Sequence, residues 1–359
     1  MGFDLDGADR SSAVRCHTVA VPDHIDDQHV DDQELDDLIQ VVDLDGLVGM
    51  VDARCAADDW SGLLRLRDRC SAAAVETGRQ LWPAATLAEY RLALLAPDEW
   101  AATVLDGESG RFTIGPLSEV SAVGHTWAGL APHLDTVPIA TFIAHERAIR
   151  GEIIPAGELA ALPPVLDIPA ALQPWEPAYP VSSYSAVGAE HPEPDSTGEL
   201  VAVSTPEHVT VVDDDATELA VRQLLEAWTA ASTGRAESVC VEGDHLAALA
   251  GLGVRSARVA EIPASEAIGW LAWAGASGGA QGRRRGMAIG RFSAWWLLGA
   301  IGDLYDAWPP TNDDVDELLA NLRWYRWDAH EPAGGWRLQL AVEDVAEGLA
   351  WAVNAADDD

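Results

Sequence analysis

Residues 274–296, AGASGGAQGRRRGMAIGRFSAWW, hold the densest arrangement of ligand-binding groups in the chain. Arg283, Arg284, Arg285 and Arg291 fall within nine residues, among Gly275, Gly278, Gly279, Gly282, Gly286 and Gly290. Glycine allows positive φ and close backbone approach. Bare backbone N–H groups at a loop-to-helix junction, together with guanidinium forks, are what a phosphate or carboxylate requires. One reading is therefore an anion or nucleotide site built from Arg283, Arg284, Arg285 and Arg291, with Ser277 and the N–H groups of Gly278 and Gly279 assisting. The competing reading is internal. The arginines pair with the chain's own carboxylates, and Gly282, Gly286 and Gly290, four apart, let helices approach closely. The run fits no nucleotide fingerprint, since it lacks the phosphate-loop lysine and no strand leads directly into the glycines.

Other groups give weaker signals. His125, His133 and His145 lack the i, i+3 or i, i+4 ligand spacing of a metal site, and no HExxH occurs. Asp213, Asp214 and Asp215 stand between a predicted strand and a predicted helix, where acids could bind a divalent cation; the reading preferred is a cap and charges favourable to the helix N-terminus. Ser277 and Ser293 have no G-x-S-x-G context, and Cys16, Cys55, Cys70 and Cys240 form no CxxC pair. No catalytic constellation emerges, so enzyme status stays open, and no metal or cofactor is expected. Trp324 and Trp327, three apart beside Arg323 and Arg326, read as one helix face: a buried seam or a partner-binding patch.

The whole composition constrains partners. The chain has no lysine. Its 22 arginines face 59 Asp and Glu, for a net charge of -37. Schiff-base chemistry and covalent pyridoxal phosphate are excluded. A field of that sign repels nucleic acid and anionic membrane. Codon bias in a GC-rich genome and adaptation to a salty cytoplasm both produce this balance. Ten acids and no Lys or Arg between Asp23 and Asp45 raise a third possibility, mimicry of a nucleic-acid backbone. No apolar leader opens the chain and no run of about 18 apolar residues occurs, so a cytoplasmic protein without a membrane span is expected. The expected partner is another protein, through acidic faces and Trp/Arg stretches, or else a small anionic ligand.

The elements that must position these groups follow from periodicity. The expected fold is α+β and mostly helical, an N-terminal helical domain followed by a smaller α/β domain. Residues 1–28 read as an irregular acidic terminus. Residues 29–152 read as a helical domain, with an acidic amphipathic helix carrying Leu35, Leu38, Ile39 and Val42 and a later helix capped by Asp59. Residues 153–199 are a Pro-rich arm and linker. In residues 200–359, strands ELVAVS, HVTVVDD, ESVCVEG and VRSARVAEI alternate with helices. A helix over DDVDELLANLRWYRW, a strand at GWRLQLAVE and a helix over DVAEGLAWAVNAA close the chain.

The GGAxGRRRG-type run, with QLWPAATLAEYRLAL, AHERAIRGE and the WRLQLAVEDVAEGLAWA ending, resembles a family of uncharacterised bacterial proteins, chiefly actinobacterial. The resemblance covers most of the chain after about residue 50. It implies a host and a signature at 274–296, and no activity.

Overall fold

The computed structural model describes residues 24–105, 114–134, 137–162, 164–330 and 334–358. Residues 1–23 of the acidic terminus lie outside this set, and the first helix, His24–Val41, begins ahead of residue 29.

Caps start the helices of the first half. Asp43 and Asp59 each turn a carboxylate onto the N–H three residues on, at Gly46 and Gly62, and open helices Leu44–Ala56 and Trp60–Thr77. Gly78, in the left-handed conformation at φ 67, ends the second. Pro83 sits in the first turn of Trp82–Leu95, where its missing N–H costs nothing. These helices, with Leu117–Gly124 and Val137–Ile149, enclose one core. Leu35, Leu47, Leu63, Leu66, Leu92 and Ile143 in it have no exposed surface. Each such side chain contributes about 1.5–3 kcal/mol.

The second half is a seven-stranded antiparallel sheet. Strands β1 (Ser183–Ser185) and β2 (Gly188–Glu190) form a separate hairpin. The sheet comprises β3 (Val201–Ser204), β4 (Thr210–Val212), β5 (Arg235–Glu242), β6 (Ser256–Ile262), β7 (Leu322–Asp328), β8 (Trp336–Asp344) and β9 (Leu349–Asp357). Its order is β3-β6-β7-β8-β9-β5-β4. Helices Asp215–Leu224, Ala264–Ala276 and Met287–Ile301 cover one face, and helix His245–Gly251 packs on the other. The fold is thus α+β and mostly helical. None of its described helices is long and apolar enough to cross a membrane.

Two expectations about the chain's end are corrected. Helix Asn312–Asn321, opened by a capping box at Thr311 and Asp314, stops at Asn321, and LRWYRWD continues as β7. An odd spacing in a strand places side chains on opposite faces. Trp324 accordingly packs in the helix-covered core and Trp327 in the core beneath His245–Gly251. They share no face. The closing segment is likewise a strand. Asp344 caps a turn by accepting the N–H groups of Ala346 and Glu347, and Gly348 completes it at φ 68. β9 then runs between β8 and β5. Its Ala-rich sequence favours a helix locally, but pairing on both sides and burial on both faces override that preference.

The Pro-rich stretch joins the two halves. Tyr184 is buried in the helical core and Tyr179 in the sheet core. Trp175 packs on Trp295 at 4.7 Å and donates its indole N–H to Asn312 Oδ1 at 3.1 Å.

Candidate functional site

The Arg/Gly run bridges two helices that touch almost backbone to backbone. Ala264–Ala276 and Met287–Ile301 meet at Gly275 and Gly290. A Cβ on Gly290 would overlap the Ala272 carbonyl, and one on Gly275 would stand 3.2 Å from Gly290 Cα. Between the helices the loop folds onto Asp357, which is 1% exposed. Its carboxylate accepts the Ala280 N–H at 2.6 Å. Gly279, at φ 69, lies against the same carboxylate, so any side chain there would collide with it. Gly278 is packed against Gly282 as closely. Ser277 is buried. Its hydroxyl accepts the Trp228 indole N–H at 2.7 Å and donates to the Ala274 carbonyl at 3.1 Å.

The arginines have different fates. Arg284 forms a fork with both oxygens of Glu119 at 2.7 and 2.8 Å. Glu119 has no exposed surface and also accepts from the Tyr184 hydroxyl at 2.7 Å and the Met287 N–H at 3.3 Å. Burial alone would raise its pKa; the Arg284 guanidinium more than reverses this and holds the carboxyl below its ordinary value. Arg291 makes a second fork, to Glu176 at 2.6 Å twice, with both side chains fully buried. It also donates to His145 Nδ1 at 3.0 Å. Burial, with Arg291 beside it, pushes His145 down to about 3, so the ring is neutral and accepts. Arg285 donates to the Gln223 carbonyl at 3.1 Å. Arg283 is exposed and has no partner among the described residues.

Glu146 lies in the same seam. Its Oε1 accepts the Ala288 N–H at 2.7 Å, while Oε2 is 3.5 Å from Arg150 Nη1 without a hydrogen bond. Complete burial, and then the nearby Glu119 charge, push it up to about 8. The seam is a packed ionic joint between the helical half and the loop. Arg284 and Arg291 are spent on Glu119 and Glu176 and the loop between the helices packs on Asp357, so a ligand that used these groups would have to displace those carboxylates.

The remaining signals also settle into local roles. Asp214 caps Asp215–Leu224 through the Thr217 N–H and accepts the Trp351 indole N–H. His125 pairs with Asp98 at 2.6 Å, and His133 is exposed. Among the described residues no group of three or more His, Cys, Asp or Glu is arranged to hold a metal ion.

A different place has room for a ligand. A cavity of about 390 Å³ opens against β6, β7 and β8, lined by Arg258, Trp270, Arg326, Arg337, Leu338 and Leu340 among others. The register explains the cluster. Ala260 pairs with Arg326 and Arg326 with Leu340, while Arg258 pairs with Asp328, so β6 and β7 present Arg258, Arg326 and Asp328 on the face that carries Leu338 and Leu340 of β8; Arg337, at odd spacing from those leucines, joins the lining from the start of β8. Arg258 is neutralised by a fork to Asp328 at 2.9 and 2.7 Å. Arg337 donates to the Gly334 carbonyl at 2.8 Å and meets Asp358 at 3.3 Å. Arg326 differs from both. Its Nε is buried without an acceptor, and its side chain has no hydrogen bond or ion pair among the described residues. The sequence carried a signal for this site: in RWYRWD, Trp324, Arg326 and Asp328 alternate, and period two marks one strand face.

No curated protein and no solved structure matches the chain. Residues 45–359 match the family of unknown function DUF6183, and the chain belongs to that family.

Proposed function

We propose that this protein binds a small anionic molecule in the cavity at the β6–β7–β8 end of the sheet, with Arg326 as the anchoring cation. The observation that carries the reading is an arginine left unpaired inside a walled cavity, in a chain where carboxylates outnumber cations by more than two to one. Arg326 is half-buried, but its Nε is out of reach of water and has no acceptor, and a buried donor left unpaired costs free energy. A carboxylate or phosphate on the guanidinium fork repays that cost with charge-assisted hydrogen bonds. Trp270, Leu338 and Leu340 supply the apolar wall usual in small-molecule sites, and the volume lies within their normal range. The net charge of -37 opposes an approaching anion, but at physiological salt that field is screened within about 8 Å, so the cavity's own groups dominate.

In this reading the GGAxGRRRG-type run is a structural signature. Its arginines and glycines lock the helical half to the sheet half, in a family we take to be cytoplasmic and chiefly actinobacterial. The test is a thermal-shift series with small carboxylates and inorganic phosphate, on wild type and Arg326→Gln. A ligand present at 100 times its Kd stabilises the native state by about 2.7 kcal/mol. A rise in Tm for wild type that vanishes in Arg326→Gln is expected. Equal rises in both proteins would refute the assignment to Arg326.

A further inference from the structure

We propose that the ligand of this cavity is a zwitterion with an apolar body, of the free α-amino acid class, held with its carboxylate on Arg326 and its ammonium toward Glu193. The inference rests on the anion-binding reading of the cavity and narrows it.

The charges of the wall cancel in pairs until two remain. Arg258 is matched by Asp328 and Arg337 by Asp358. Arg326 and Glu193 are left, and neither has a partner among the described residues. Arg326 rises from the sheet floor. Glu193 is exposed, belongs to the segment that precedes β3 and lines the same cavity. The lining also holds apolar side chains: Leu338 at 2% and Leu340 at 3% exposure, Leu200, and Trp270, whose ring meets Trp273 edge-on at 5.3 Å. One unpaired cation and one unpaired anion on a single partly apolar lining match a molecule that carries both charges and a hydrophobic side chain.

The same arithmetic argues against phosphate. A phosphate monoester carries a charge of about -1.5 to -2 near neutral pH. It would find one uncompensated cation and would face Glu193, with no second free guanidinium to balance it.

The experiment is isothermal titration calorimetry of the full chain with L-leucine, L-methionine and L-phenylalanine. Each is run beside its deaminated carboxylic acid and its decarboxylated amine, and inorganic phosphate is included. Wild type, Arg326→Gln and Glu193→Gln are compared, with circular dichroism confirming that both variants are folded. At least one amino acid is expected to bind ten-fold or more tightly than its deaminated acid. Glu193→Gln should remove that preference, and Arg326→Gln should abolish binding of both. If the deaminated acids bind wild type as well as the amino acids do, or Glu193→Gln leaves amino-acid binding unchanged, the zwitterion proposal fails while the anion reading stands. Tighter binding of phosphate than of every amino acid would also overturn it. Absence of binding by all these probes would overturn both readings.

Discussion

Arg284→Met tests whether the Arg/Gly run is a structural joint. The substitution keeps most of the side-chain volume and removes both charge-assisted bonds to Glu119, a carboxylate with no exposed surface. Glu119 retains the Tyr184 hydroxyl and the Met287 N–H, so it is not wholly orphaned. Breaking a buried ion pair from one side costs about 3–5 kcal/mol. Taking the middle of that range, and an unfolding entropy of about 2.1 cal/mol/K per residue, Tm should fall by about 5 °C. The loss depends on pH in a known direction. Without Arg284, burial outweighs the weaker lowering by the Tyr184 hydroxyl and the Arg150 charge, and the folded pKa of Glu119 moves above the unfolded value. A raised folded pKa gives stability that is present below the unfolded pKa and lost as pH rises through the folded one. The variant should therefore lose more relative to wild type at pH 8 than at pH 5. Urea denaturation followed by tryptophan fluorescence at both values is the assay. A loss below about 1 kcal/mol at pH 8, or an equal loss at the two pH values, would refute the argument, since a buried charge cannot be abandoned at so small a cost.

Two further outcomes follow from the same packing. His145, lowered to about 3, makes stability rise with pH up to the ordinary histidine value near 6.5, while Glu146, raised to about 8, makes stability fall as pH climbs from about 4.5 to 8. Above about 6.5 Glu146 acts alone, so wild type should lose up to about 1.4 kcal/mol per pH unit there, and Glu146→Gln should not; an identical decline in both proteins would count against this assignment. Trp324→Ala and Trp327→Ala should each cost about 3–5 kcal/mol and add nearly completely in the double variant, because the residues pack into different cores on opposite faces. Strong non-additivity in chemical denaturation would place them in one cluster instead.

Features encoded within a few residues were legible in the sequence. The caps at Asp59 and Asp214 and strands such as VRSARVAEI are of this kind, as is the 3.6-residue period that buries Leu35 and half-buries Leu38 and Ile39. Each depends on neighbours in the chain. Trp324 and Trp327 were misleading because a spacing of three fits a helix as readily as two faces of a strand. The sheet decides which, through partners on β6 and β8 far away in sequence. The β9 segment misled for a related reason. Buried on both faces between two strands, it shows an apolar run, interrupted within by Asn354 alone, with no alternation. The Arg/Gly run was visible as a place with affinity for anions, but Glu119 lies 165 positions from Arg284 and no local pattern links them. The cavity escaped notice because β6, β7 and β8 each contribute one arginine, and no two of these stand close enough in sequence to form a motif.

The most direct measurement is a crystal structure of the protein soaked with the tightest-binding amino acid or carboxylate from the titrations. Ligand density is expected inside the β6–β7–β8 cavity, with a carboxylate within about 2.7–2.9 Å of the terminal nitrogens of Arg326. The Arg284–Glu119 and Arg291–Glu176 forks should be unchanged. Ligand bound instead among Ser277, Gly278, Gly279 and Arg283, with those forks opened, would contradict the assignment to Arg326.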